Sequence, residues 1–574
     1  MCRLLVASLL ALLLLPAPAS AQGGVWDKQG RYLTFIADKD IDEVFELYRT
    51  DLKTGEVQTL NGAMDPEADV VWVYDLDPKG RFAVWVADAE ADEVLELFRT
   101  DLKTGEVLKL NGPLTPGGDV IDAYPADPKG RYVLYKANQD DASKHELYRT
   151  DLETGEVLKM NGPLAEGGDV IIPFGADAKG RYAVYTAEQD TDDLVELYRS
   201  DLETGENLKL NGPLTPGGQL YSVHGTDAKR RYIVYTAEQD EVGVVELYRS
   251  ELATGEVLKL SGPMALGGDV DDVDLSDPKG SYVVYRADQD ADGVFELYRS
   301  DLKTGEFLKL SGPMADGGDV HTVYSIDSKG RYVAYLADQD SDTVMELYRS
   351  TLATGEVLKL NGTLPSGGNV LTLEKDVDPT GRFVVYRAEQ DTDEVFELYR
   401  VHWKTGAILE LNGALADGGD VFNVWPVGTR GRSVAYRADQ DENGVFELWL
   451  SDLKTGKNVK ASAPLTSAVD IYECWGVAPQ GRYLVYLADQ DAEDVSELYR
   501  YDSKTSEVIK LNGPLQEPGV VHDVFAFDPK GRYLIYSANP NFQFTQELWK
   551  SDLKTGEATS ASGDIVPSGS VYIE

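Results

Sequence analysis

Cysteine is almost absent: the 574 residues hold two, Cys2 and Cys474, and the first lies beside an apolar N-terminal run. Once that run is removed an internal disulfide is excluded, so stability has to come from packing. Histidine is nearly as sparse, with five residues. His145, His224, His321, His402 and His522 fall on segments far apart in the chain. No G-x-S-x-G, H-E-x-x-H, P-loop or G-x-G-x-x-G motif occurs, so the signatures of common hydrolases, metallopeptidases and nucleotide enzymes are missing. After Leu4–Leu15 no apolar stretch approaches the roughly 18 residues of a spanning helix, which argues against membrane insertion. Positive charge is in deficit: 54 Lys and Arg against 99 Asp and Glu give a net charge of −45. That excess disfavours nucleic acid and anionic membranes as partners, and favours cations, basic partners or simple solubility.

The N-terminus reads as an export signal. Arg3, the apolar run Leu4–Leu15 and the small-residue site Ala19-Ser20-Ala21 predict cleavage after residue 21 and a secreted or periplasmic protein. Cys2 lies inside the removed segment, so no lipid anchor is expected.

Residues 22–574 are one uninterrupted array. Gly30-Arg31-Tyr32 recurs with small changes at Gly80, Gly130, Gly180, Arg230, Gly280, Gly330, Gly381, Gly431, Gly481 and Gly531, eleven copies at a period of 50 with one of 51. In the sixth copy SYVVYRA (281–287), FELYRSDL (295–302) and EFLKL (306–310) are rich in β-branched and aromatic residues or alternate, and VHTVY (320–324) follows. These read as short strands separated by turns at Lys303-Thr304-Gly305, Ser311-Gly312-Pro313, Gly317-Gly318 and Asp327-Ser328-Lys329-Gly330. Four antiparallel strands per fifty residues, with no helical period anywhere, predict an all-β fold of propeller blades.

Asp277-Pro278-Lys279-Gly280, the following SYVVYRADQD and Glu296-Leu297-Tyr298 resemble the TolB-like (PD40, WD40-like) propeller repeat. The resemblance covers every copy and implies a β-propeller, with the VHTVY-type segment as the innermost strand that opens each blade. It implies little about function, because the repeat occurs in proteins of several kinds. The family's namesake carries an α/β domain ahead of six blades, which this sequence lacks. The first copy has only Val25-Trp26 where later ones have a full innermost strand, while Val571-Tyr572 close the chain. The C-terminus is therefore expected to complete the first blade. That favours one ring of eleven blades, which removes free sheet edges, over two rings of five and six.

Strand order assigns the loops to two faces. Lysine-bearing turns, with Lys79, Lys129, Lys279 and Lys329 in one set and Lys53, Lys103 and Lys303 in the other, should share one face. The opposite face carries acidic loops: Asp38-Lys39-Asp40-Ile41-Asp42, Glu188-Gln189-Asp190-Thr191-Asp192, Asp288-Gln289-Asp290-Ala291-Asp292, Asp338-Gln339-Asp340-Ser341-Asp342 and Glu389-Gln390-Asp391-Thr392-Asp393. Carboxylates at alternate positions can converge on a hard cation, so Asp38, Asp40, Asp42, Asp288, Asp290, Asp292, Asp338, Asp340 and Asp342 are candidate Ca²⁺ ligands. A Glu that recurs after each loop, as at Glu46, Glu196, Glu296 and Glu346, is a further candidate. The EF-hand glycine and terminal glutamate are missing, and the competing reading is structural: loop carboxylates bonding their own backbone, and the Glu pairing with the recurrent Arg49, Arg199 and Arg299.

The innermost strand varies most between copies. One column reads Tyr74, Tyr124, Phe174, His224, Asp274, Tyr324, Glu374, Trp425, Trp475 and Phe525; two residues earlier stand Trp72, Asp122, Asp272 and Glu473 among others. An apolar column, including Val73 and Cys474, lies between them. Strict alternation would pack the apolar column between blades and point its neighbours into a central channel. With His321 and His522, these residues form the candidate ligand-binding set, suited to a sugar, a cation or a peptide through aromatic faces and carboxylates. The sequence thus favours a non-catalytic binding or scaffold protein engaging a protein, peptide or glycan through its acidic face or channel. The alternative is a glycan-active hydrolase or lyase using channel carboxylates such as Asp272 and Asp274.

Overall fold

The repeat dictates the architecture one blade at a time. A computed structural model describes residues 25–572 apart from 28–29, 42, 66–67, 75–76, 92, 126, 178, 276, 375–377, 379, 428–431, 466–470, 478–480, 493–494, 516–518, 529, 540–545 and 564–570. The N-terminal export signal lies outside the described residues. The fold is an all-β propeller of eleven blades, each an antiparallel sheet whose strands follow chain order. In the sixth blade they are Val270–Asp274, Tyr282–Ala287, Glu296–Asp301 and Phe307–Lys309. No helix among the described residues is long and apolar enough to cross a membrane.

Turn chemistry sets the strand boundaries. Asp277, fully buried, accepts the Ser281 and Tyr282 amides at 2.7 and 3.0 Å through Oδ2 and that of Lys279 at 3.1 Å through Oδ1. Gly280 takes φ 55° there, a conformation that glycine adopts without a Cβ clash. The other turn on this side is tied by the amides of Lys303 and Thr304, each donating to Asp301 Oδ1 at 2.9 Å.

Both faces of each sheet are covered, which explains why SYVVYRA lacks a polar alternate. Val284, Leu297 and Leu310 of blade six form one apolar cluster with Val320, Val323, Val333, Tyr335 and Tyr348 of blade seven. The recurrent tyrosines stack across neighbouring strands of a blade, as Tyr285 and Tyr298 do at 5.6 Å between centroids. The Asn of each L-N-G segment is a buried bracket: Asn111 Oδ1 accepts the Leu97 amide at 2.8 Å. Where serine replaces it, Ser261 and Ser311 hydroxyl oxygens accept the Leu247 and Leu297 amides at 3.1 and 3.2 Å.

An early and a late segment of the chain meet in the first blade. Val25 and Trp26 pair with Thr34 and Leu33, and Val571 and Tyr572 pair with Ala37 and Ile36 of the same strand. Two segments far apart in sequence therefore share the work of one opening strand, as the short first copy predicts. By packing, the chain divides into two compact units, Met1–Ser261 with Ser562–Glu574, and Gly262–Ala561. The first holds blades one to five and the second blades six to eleven.

Candidate functional site

Each letter of the acidic D-Q-D loop has a structural partner. In blade six Asp288 Oδ1 accepts the Asp269 amide at 2.5 Å and Oδ2 accepts the Gly293 amide at 2.9 Å. Gln289 Oε1 accepts the Gly262 amide at 3.2 Å, and a Cβ at Gly262 would lie 2.8 Å from the Gln289 side chain. Asp290 Oδ2 lies 3.1 Å from Lys309 Nζ, which also contacts Glu296 Oε1. The Tyr298 hydroxyl donates to Glu296 Oε2 at 2.8 Å. The recurrent Glu is therefore held by a lysine and a tyrosine. The recurrent Arg lies elsewhere: Arg149 lies 4.4 Å over the Tyr132 ring and donates from Nε to the Leu202 carbonyl of the next blade at 2.6 Å.

The lysine bridge recurs at Lys109, Lys159, Lys209, Lys259, Lys309, Lys359, Lys460 and Lys510. It supplies the cation that the alternating carboxylates could otherwise draw from solution. Asp338 repeats the pattern, with Oδ1 on the Asp319 amide at 2.6 Å and Oδ2 on that of Thr343 at 3.0 Å, while Asp340 lies 2.7 Å from Lys359. In blade one Asp40 takes Lys39 and the Tyr48 hydroxyl, both at 3.3 Å, and Asp38 Oδ2 accepts the Glu43 amide at 3.4 Å. Asp42 lies outside the described residues. Asp292 stands beside Gly267, exposed, and Asp342 beside Gly317. The oxygens of a loop thus serve different partners, and this donor set does not fit a calcium ion, which needs six or more convergent oxygens. Among the described residues no group of three or more His, Cys, Asp or Glu side chains is placed to hold a metal.

Burial works to raise the Asp338 carboxyl, but the Asp319 and Thr343 amides and His321 outweigh it and hold the group below the ordinary carboxylate range. The Lys309 ammonium is opposed by burial and raised overall by Glu296 and Asp290. Both directions describe groups held in their charged forms by neighbours.

The variable opening strand departs from strict alternation. A bulge shifts its register, between Val70 and Trp72 and again between Val270 and Asp272, for example. The apolar column is buried as expected, with Val73 in the cluster shared with blade one and Cys474 a buried thiol whose pKa burial raises. The aromatic column on the other side also packs between blades. Trp72 and Tyr74 lie against the cluster shared with blade three, and Tyr124, Phe174, Tyr324, Trp425 and Trp475 occupy the same role; Phe525 is half-buried. Tyr74 donates to Asp122 of the next blade at 3.1 Å. His224 is enclosed, its Nε2 3.2 Å from the Thr236 hydroxyl, and burial pushes its pKa down to about 4. Asp274 is half-buried, whereas Asp272, Glu473, His321 and His522 are exposed; the side chain of Glu374 lies outside the described residues.

The bulge exposes a column that alternation assigns inward: Val71, Tyr221, Asp271, His321, Leu371, Phe422, Tyr472 and His522. Sequence reasoning found only its two histidines. Several members reach the first carboxylate of the acidic loop in their own blade. The Tyr221 hydroxyl donates to Glu238 Oε1 at 2.9 Å, Tyr472 to Asp489 Oδ2 at 2.9 Å, and His321 Nε2 lies 3.1 Å from Asp338 Oδ1. Opening strand and acidic loop, two separate candidates in the sequence, are joined in these blades.

The sequence matches no protein-family profile and no curated protein. Solved structures to which the chain is similar include the tricorn protease, 15% identical, TM-score 0.30, with 94% of this chain and 57% of that one covered. Porphyromonas gingivalis dipeptidyl peptidase 4 gives 11% identity and a TM-score of 0.38 over 82% of this chain and 64% of that one. TolB from Acinetobacter baumannii gives 15% and 0.23 over 49% and 64%. The chain spans less than two thirds of the length of each of these proteins. The scores are low, and no activity is transferred from them.

The remaining histidines have structural surroundings. His402 Nδ1 accepts the amides of Lys404 and Thr405 at 3.2 and 3.3 Å, replacing the turn aspartate of other blades. His145 Nδ1 lies 3.6 Å from Asp169.

Proposed function

We propose that this chain is a non-catalytic extracytoplasmic binding propeller with TolB-like repeats, which engages a protein, peptide or glycan along the exposed bulges of its opening strands and the acidic loops beside them. One observation carries the reading. Side chains that bracket turns, fill the inter-blade clusters and bridge carboxylates recur from copy to copy, whereas the exposed bulge column differs: Tyr221, Asp271, His321, Leu371, Phe422 and Tyr472. Tyr221, Leu371 and Tyr472 are 50%, 45% and 45% exposed, a cost in exposed apolar surface that a ligand would offset. The export signal read from residues 1–21 supports an extracytoplasmic setting.

A glycan and peptide array probed with purified protein tests the reading, with Tyr221→Ser and Tyr472→Ser as variants. Binding weakened at least tenfold by either substitution supports it. Release of a new product from any bound glycan, abolished by Asp272→Asn with Asp274→Asn, would replace it with a catalytic one.

A further inference from the structure

Ten of the eleven copies carry glycine at the end of the first turn, and the fifth carries Arg230. Arg230 adopts φ 49° and donates its amide to the Asp227 carbonyl at 2.7 Å, the turn that Gly180 makes with φ 61°. A left-handed backbone is unfavourable for a residue with a Cβ. This blade therefore keeps a strained turn that the other copies avoid.

A second departure lies beside the first. In blade two Arg81 contacts Glu153 in the next blade's last turn, and in blade three Arg131 contacts Glu203, 72 residues on, at 2.7 Å. Arg181 continues the series in blade four, but the corresponding residue is Ala253. Among the described residues Arg181 pairs only within its own turn, with Asp177 at 3.1 Å. Where the glutamate would stand there is a surface depression of about 120 Å³, lined by Lys179, Arg181, Lys229, Arg230 and Arg231.

Two carboxylates, Asp177 and Glu251, share that lining, and both are engaged. Asp177 accepts the amides of Arg181 and Tyr182 at 2.5 and 3.2 Å, and Glu251 accepts the Thr254 hydroxyl at 2.7 Å. Lys179, Lys229 and Arg230 make no ion pair among the described residues. Arg231 is paired with the buried Asp227 at 3.3 Å; counting that carboxylate, five cations face three engaged carboxylates, a local positive excess on a chain whose net charge is −45.

We infer that this depression between blades four and five binds a phosphate or sulfate group. The missing glutamate opens the space, Arg230 adds a guanidinium that glycine cannot supply, and guanidinium forks match tetrahedral oxyanions in bidentate fashion. The surrounding negative charge opposes long-range attraction, and salt screens what remains beyond about a Debye length, ~8 Å at physiological ionic strength. Affinity should therefore fall as salt rises.

Calorimetric titration at constant ionic strength tests the inference, with inorganic phosphate and inorganic sulfate as free ions and glycerol 3-phosphate as an ester. Wild-type protein should bind at least one with a Kd of about 1–10 mM. Arg230→Gly restores the turn residue of the other copies, and should raise the melting temperature while weakening binding at least tenfold. Ala253→Glu restores the ion pair seen at Arg131 and should weaken binding as much. Lys129→Gln removes a cation from the equivalent turn of another blade and should change affinity less than twofold. Preference for the ester would assign the site to a phosphorylated molecule, and equal or better binding of the free ions to an inorganic ligand; either supports the site. Absence of saturation with all three probes, unchanged affinity in either depression variant, or equal weakening by Lys129→Gln would overturn it.

Discussion

Eight blades place a lysine between the second loop carboxylate and the recurrent Glu, but blade eight has Glu410 at that register position, opposite Tyr399. Glu410 stands with Glu397 and Asp391, and both glutamates are raised above their ordinary value of 4.5, first by burial and then by the neighbouring carboxylates. Glu410→Lys would exchange two repulsions for the two attractions seen at Lys309. A charge pair at about 4 Å is worth about 1 kcal/mol at water-like dielectric. Glu410 is partly desolvated by its neighbours yet still open to water, and it would surrender the 3.0 Å hydrogen bond from Asn412, so screening and that loss reduce the total to about 1–2 kcal/mol. The sign with pH follows. A carboxyl whose pKa is raised by folding contributes stability that is fully present below its unfolded value and is lost as pH climbs through the folded one. The wild type therefore loses stability at this site as pH climbs above about 4.5, and the variant does not. Calorimetric melts should show a gain of about 1–3 °C at pH 7, shrinking toward pH 4.5. Urea midpoints with Glu397→Gln in a double-mutant cycle isolate the coupling. An unchanged or lowered midpoint at pH 7, or a gain independent of pH, would refute the like-charge account.

Other expectations are equally direct. Chelation by EDTA should leave the melting temperature within about 1 °C, since lysines already serve the loop carboxylates; a fall of several degrees reversed by excess Ca²⁺ would contradict this. Asn111→Ala strips the buried Leu97 amide of its acceptor and should cost about 1–3 kcal/mol in urea unfolding. Asn111→Ser should cost less, because Ser261 and Ser311 make the same bond elsewhere. Ending the chain before Val571 removes a side chain only 1% exposed and the pairing with Ala37 and Ile36. The expected loss is about 2–4 kcal/mol in chemical denaturation, and unaltered stability would show that this strand contributes nothing to the first blade.

The blades were legible because their signals are local. Strand patterns, the Asp-Pro-Lys-Gly turn and the fifty-residue period each act within a few residues, and the short first copy marked where the far end of the chain belongs. The acidic loops were legible as a feature but not as chemistry. Carboxylates at Asp288, Asp290 and Asp292 have a spacing that also suits cation loops, and only the arrival of Lys309, 19 residues beyond Asp290, reveals their occupation. The exposed column at Tyr221 and Tyr472 was hidden by the bulge, a shift of one residue that reverses which side chains face outward. Arg230 and Ala253 are ordinary residues alone, and matter because blade five sets both beside Arg181 of blade four in one depression.

The pairing of Ile36 with Tyr572 joins residues separated by nearly the whole chain. Contacts this distant form late, since the loop they close costs entropy before it returns any contact. During synthesis from the N-terminus the first sheet would wait, its opening edge half-covered by Val25 and Trp26, until the final residues emerged. A polypeptide interrupted before Val571 would retain a ready template for β-pairing with another copy, so this late pairing doubles as protection against self-association.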